Sequence, residues 1–216
     1  MIEKNGFGAF RSRFHTFVIA SRQQAVWQSQ PYRMKVYDMN TKHSSHTLHI
    51  VIAAMFAAMI AVMTAFVQIK TPTGGYVHLG DSMIYLTACF LPMPYAVAAS
   101  AIGGGIADLL VYPETIIYTI IIKALNAVFF SAKDNKLLTK RNALMTIPSG
   151  LVTVVGYSLS KLIRQLLAGD SFQSALVNAL WKMPENGIQA LASALIFILI
   201  AAAFDKADIK KRMLGK

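Results

Sequence analysis

The residues of this chain that can do chemistry stand at the borders of long apolar runs. The first group is Gly75-Tyr76-Val77-His78-Leu79-Gly80-Asp81, a polar rim holding a histidine, an aspartate and turn glycines between two apolar stretches. Tyr76, His78 and Asp81 are close enough in sequence to fold over a pocket together, although Asp81, preceding Ser82, is also well placed as a helix N-cap. Asp108 and Lys123 are the charges set deepest in apolar sequence. At mid-bilayer each would cost roughly 2.5–3.5 kcal/mol, so an intramembrane site or a mutual ion pair is expected. Lysine snorkelling outward would let the two meet. Asn126 adds an amide about one turn below Lys123. Tyr157, Lys161 and Arg164 share a helix face at i, i+4, i+7, with Arg164 reading as an interfacial charge. Glu185, Asn186 and Gln189 follow, and the last two, at i and i+3, can present two amides to one ligand. Such a mixture of carboxylates, cations, amides and a tyrosine suits a small polar heterocycle stacked on an aromatic ring.

The elements that carry these residues belong to a membrane protein. The 216 residues are 55% hydrophobic and 14% charged with a net charge of +11, too apolar for a soluble domain. Residues 48–68 hold no charge and have the length to cross a hydrocarbon core of roughly 30 Å. Further helices are expected at 82–91, short and stopped by Pro92-Met93-Pro94, and at 94–112, 115–132 and 143–167. Between Gly169 and Trp181 the apolar spacing is that of a short amphipathic helix on the membrane surface, and a last crossing starts at Pro184 and runs to Phe204.

The fold class expected is therefore an all-α integral membrane protein with six crossings and a surface helix before the sixth. An even number places both termini on one side. Lysine and arginine concentrate before residue 43, in the 133–141 loop and after residue 205, which makes that side cytoplasmic and the Gly75–Asp81 rim extracellular. Residues 1–38 are basic, match nothing else in the chain and read as a disordered extension; Met39 is the alternative start, leaving 39–216 as the membrane domain.

Several classes fall away. The cations alternate with apolar segments instead of forming one patch with interleaved aromatics, which argues against nucleic acid as partner. There is no G-x-x-x-x-G-K-[ST] loop, H-E-x-x-H or G-x-S-x-G, so neither an ATPase nor a familiar hydrolase site is present, and no cofactor or metal site is expected. Cys89, alone, cannot form an intramolecular disulfide. In the first helix Ala53, Ala57, Ala61 and Ala65 form a small-residue stripe, suited either to packing within the chain or to docking a separate membrane subunit.

With its six helices, the alanine stripe, the rim at 75–81, Ala101-Ile102-Gly103-Gly104-Gly105-Ile106-Ala107-Asp108 and the I-I-I-K-A stretch at 120–124, the chain resembles the substrate-binding S components of energy-coupling factor (ECF) transporters. The resemblance covers about residues 39–216 and is closest to the riboflavin-transporter-like branch. It implies a vitamin-binding subunit of the plasma membrane, not an enzyme, working with a transmembrane coupling protein and two cytoplasmic ATPases. It further implies partner docking at Ala53, Ala57 and Ala61, a lid at residues 76–81 and pocket contacts from Lys123, Asn126, Tyr157, Glu185, Asn186 and Gln189. A thiamine precursor such as hydroxymethylpyrimidine is the leading expected substrate, with riboflavin, pantothenate, niacin and queuosine precursors behind it. The competing class is a small membrane enzyme or scaffold using Asp108 and Lys123.

Overall fold

A computed structural model describes residues 45–70 and 76–214. The chain divides into residues 1–47 and residues 48–216; only positions 45–47 of the first unit are described, and the proposed extension and alternative start lie outside the described residues. Helix α1 covers Ser45–Ala65. The strands β1, Gln68–Lys70, and β2, Tyr76–His78, pair antiparallel with Gln68 opposite His78 and Lys70 opposite Tyr76. After them come α2, Gly80–Phe90, α3, Met93–Val111, a single 3-10 turn at Pro113–Thr115, and α4, Ile116–Val128. Two long helices, α5 at Lys140–Leu167 and α6 at Phe172–Lys206, precede the short α7, Ile209–Leu214.

The burial pattern is that of a bundle in lipid. Rows of large apolar side chains lie outside, such as Leu144, Ile147, Leu151, Val155 and Leu159 on α5 and Ile188, Leu191, Leu195 and Leu199 on α6. The opposite faces of those helices bury Asn142, Ser149 and Thr153, and Gln189 and Ser193. Lipid tails solvate an apolar surface well, so the polar groups gain by turning inward to one another.

Only α1, α3, α5 and α6 are long and apolar enough to cross a membrane among the described residues. At 11 and 13 residues, α2 and α4 extend about 17 and 20 Å at 1.5 Å per residue. Every residue of α2 is buried, so its ends reach protein where a lipid-facing helix would need hydrocarbon. Its inner half meets the aromatic core: Tyr85 stacks on Phe130 at 4.9 Å and meets Phe197 edge-on at 5.8 Å, while Phe90 lies 5.4 Å from Phe56.

Several boundaries depart from the sequence expectation. The separate surface helix and sixth crossing are one helix, α6, with Pro184 inside it. A proline removes one backbone bond and crowds the carbonyl four residues back, yet the buried stripe Ala175, Ala179, Asn186, Gln189, Ser193, Phe197, Ala201 passes straight through, and packing outweighs the local loss. The expected first helix ends three residues early, where the Gln68 side chain donates to the Ala65 carbonyl at 2.8 Å and the chain turns into β1. The fourth helix stops at Val128 rather than Ala132, and the fifth starts at Lys140 because Thr139 caps it by accepting from the Asn142 backbone N–H.

The glycines of α3 set the spacing between helices. A Cβ on Gly103 would stand 2.6 Å from the Ala57 carbonyl, and one on Gly104 would stand 2.6 Å from Lys123 Cγ. Gly103 therefore brings α1 close to α3, and Gly104 leaves room for the Lys123 stem.

Candidate substrate site

Lys123 is fully buried and pairs at 2.5 Å with Asp81 Oδ1, also fully buried. The expected Asp108–Lys123 pair is thus replaced, and Asp81 is no cap: α2 begins at Gly80 behind an N-cap, Leu79, with no side-chain bond. The physical reason is depth. Asp81 in the first turn of a short, sunken helix lies level with Lys123, and an ion pair inside the bundle offsets two desolvation costs at once. Asp81 Oδ2 accepts from the Gln189 amide at 3.0 Å. The role expected of Asp81 at the start of α2 falls to His78, whose Nδ1 accepts from the Gly80 backbone N–H at 3.1 Å. The other ring nitrogen, Nε2, lies 3.0 Å from the Gln189 amide nitrogen. Burial, helped by the Lys123 cation and opposed by Asp81, lowers the His78 pKa from 6.5 to about 3, so the ring is neutral at physiological pH.

Asp108 has its own partners. Its Oδ2 accepts from Thr119 at 2.5 Å and lies 2.6 Å from the Thr115 hydroxyl. Tyr157 Oη is 3.2 Å from Thr119 Oγ1, and because the Thr119 proton points to Asp108, the tyrosine is the donor. Lys123 Nζ sits 5.2 Å from the centre of the Tyr157 ring, close enough for a cation–π contact that ties the two clusters together. Thr115 and Thr119 were not singled out in the sequence; threonine in a helix ordinarily bonds its own backbone, and nothing in their spacing marks them as partners of Asp108.

A cleft of about 70 Å³ opens beside this network, lined by His78, Asp108, Thr115, Tyr157, Lys182, Asn186 and Gln189. Five expected site residues therefore converge: His78, Asp108, Tyr157, Asn186 and Gln189. Asp81 and Lys123 lie behind His78 and Gln189. Asn126 sits deeper, donating to Thr153 Oγ1 at 2.8 Å. Its Oδ1 meets no protein donor among the described residues. Glu185 pairs with Lys182 at the rim, Asn186 donates to Ser158 Oγ at 3.5 Å, and Arg164 stands 3.7 Å from Glu114, away from the cleft. Tyr76 opens β2, and its side chain lies outside the described residues. On α1, Ala57 and Ala61 are buried and Ala53 is half-buried, while Ala54 and Ala58 are exposed. No three His, Cys, Asp or Glu residues among those described converge as metal ligands.

Polar side chains from β2, α3, α5 and α6 thus line one cleft, with the Asp81–Lys123 pair of α2 and α4 behind it. Residues 44–206 match the model of the ECF-type riboflavin transporter S component family. The chain belongs to that family. It is also similar to a protein of Pyrococcus woesei described as "Uncharacterized protein in gap 3'region", at 32% identity over 102 residues that cover 45% of this chain and 68% of the relative. The protein is accordingly a multi-pass membrane S component of the vitamin-binding kind, a transport subunit and not an enzyme; in this family ATP hydrolysis belongs to the partner subunits.

Proposed function

We propose that this S component captures a small water-soluble vitamin or vitamin precursor at the extracellular face and delivers it inward with a coupling subunit and two ATPases. The orientation rests on the cation-rich segments before residue 43, at 133–141 and after 205, which favour a cytoplasmic side for both termini. In this reading all six helices traverse the fold, with the sunken α2 and α4 flanked by the four long helices. The single observation that carries the binding role is the Asp81–Lys123 pair, joined through Gln189 to His78 on the strand that borders the cleft. The buried pair, with Gln189 and His78 in front of it, gives the cleft a polar wall that can orient a polar ligand.

The size of the cleft bears on the substrate. About 70 Å³ is far below the roughly 300–1,000 Å³ of a drug-sized ligand site, so a one-ring compound needs less movement of the β1–β2 pair than a flavin does. Asp108 and the Asn186 and Gln189 amides supply acceptors and donors for the amino group and ring nitrogens of a pyrimidine, and Tyr157 supplies a ring to stack on. Hydroxymethylpyrimidine is therefore the favoured substrate, ahead of riboflavin, pantothenate, niacin and queuosine precursors. Docking of the coupling subunit is proposed for α1 along Ala53, Ala57 and Ala61, of which Ala57 and Ala61 are buried, with Ala54 and Ala58 exposed beside them.

Native mass spectrometry of the purified protein, followed by calorimetric titration with each candidate, tests the assignment. Hydroxymethylpyrimidine should bind at least tenfold more tightly than riboflavin and lose its affinity in Gln189→Ala. Preferential riboflavin binding would overturn the substrate assignment, and no binding of any vitamin would overturn the capture role. For docking, Ala58→Leu should abolish uptake while ligand binding persists.

A further inference from the structure

A second cavity lies at the other end of α2, and its walls are built from fixed parts. Lys210 of α7 is buried and donates to Cys89 O at 2.8 Å, Ala132 O at 2.9 Å and Asp134 O at 2.5 Å. One ammonium thus ties the last turn of α2 to the segment that follows α4. The same segment is held again by Asp205, which accepts from the Leu137 and Leu138 backbone N–H groups at 2.7 and 2.9 Å, and by Asn142, which bonds both backbone groups of Ser131. Between these anchors is a cavity of about 50 Å³. Lys133, Lys210 and Lys211 line it against a single carboxylate residue, Asp134, and His49 adds a fourth nitrogen base.

The lining is also amphipathic. Phe90, Pro92 and Leu214 form an apolar side, and Met93, the next residue, is 56% exposed on the lipid-facing surface of α3. The ammonium groups of Lys133 and Lys211, with the Lys210 cation behind them committed to backbone carbonyls, attract a compact multivalent anion, and a neighbouring apolar wall suits one that carries a hydrocarbon chain. Ordinary positive bias at a cytoplasmic face would leave the lysines spread over the loop. Here Lys133 of the loop meets Lys210 and Lys211 of α7 at one cavity, while Lys136 of the loop and Lys140 at the start of α5 stay outside it.

We infer that this cavity is a binding site for a phosphate-bearing anion, with an anionic phospholipid headgroup as the favoured source. The site is independent of the vitamin site, from which the length of α2 separates it. The test uses the full chain in neutral detergent and compares the wild type with Lys133→Gln/Lys211→Gln and with the control Lys136→Gln/Lys140→Gln, which removes the same charge outside the cavity. Retention of phosphatidylglycerol over phosphatidylcholine is read by native mass spectrometry, and thermal stabilisation by inorganic phosphate is read in parallel. The cavity variant should bind phosphatidylglycerol roughly thirtyfold more weakly, and the control should match the wild type. A phosphate-dependent stabilisation lost only in the cavity variant, without lipid selectivity, would support the phosphate site and assign it to a soluble anion. Equal loss in both variants, or no difference in either measurement, would overturn the inference.

Discussion

Two lysines are buried at opposite ends of α2, and they are solvated in opposite ways. Lys123 meets a carboxylate, Asp81, in the first turn of the helix; Lys210 meets three backbone carbonyls, one of them from its last turn. The first arrangement is an ion pair bordered by two groups, His78 and Gln189, that also line a cleft. The second spends all three N–H groups on the main chain. A buried charge facing a charge and amides is suited to recognition, whereas one facing carbonyls is suited to holding segments together.

Removing the partner of the first lysine should give the largest effect. Lys123→Met leaves the Asp81 carboxylate buried without its counter-charge and should cost about 3–5 kcal/mol of stability, read as a lower unfolding temperature in detergent, together with loss of ligand binding. Asp81→Asn/Lys123→Met should recover most of that stability and none of the binding. A double variant no more stable than the single one would show that the pair is not the dominant interaction.

Lys210→Met is the matching change at the other end. It leaves three carbonyls without their donor and should cost about 1–3 kcal/mol, while vitamin affinity stays within twofold of wild type. A large loss of affinity would erase the contrast between the two lysines.

Gly104→Val sharpens the comparison from the side of Lys123, because the new Cβ would stand 2.6 Å from the lysine Cγ and displace its stem. An overpacking penalty of about 1–3 kcal/mol is expected, with a larger loss of ligand affinity than in Gly105→Ala, where the nearest atom is 3.0 Å away on Ile120.

The smallest effect is a pH dependence carried by His78. Burial lowers its pKa from 6.5 to about 3, so the packed rim takes up fewer protons than one with His78 solvated. Burial of His78 is therefore fully favoured above pH 6.5 and weakens as pH falls below it, by at most about tenfold per pH unit. Ligand affinity measured at pH 8, 6 and 5 should fall with acidity in the wild type and flatten in His78→Asn. A slope unchanged by the substitution would assign the titration to another group.

Much of this was readable along the chain. The long apolar runs identify the four long helices, since any segment in lipid must satisfy its own backbone. The rarity of charge in those runs draws attention to Asp108 and Lys123, and the spacing of Asn186 and Gln189 gives them a shared face. The pairing of the charges was not readable, because Asp81 and Lys123 are distant in sequence and only the depth of α2 brings them level. The continuity of α6 through Pro184 was hidden as well, since a proline reads locally as a break and only tertiary packing outweighs it.

By itself the sequence determined that this protein is a helical membrane subunit with a few buried polar groups, because the energetics of placing residues in lipid are one-dimensional and large. Which carboxylate meets Lys123, which helix escapes contact with lipid, and where Lys210 finds its carbonyls were decided only by the tertiary structure. Those choices depend on how far each helix is sunk against its neighbours, a distance that glycines such as Gly103 and Gly104 set through close contact.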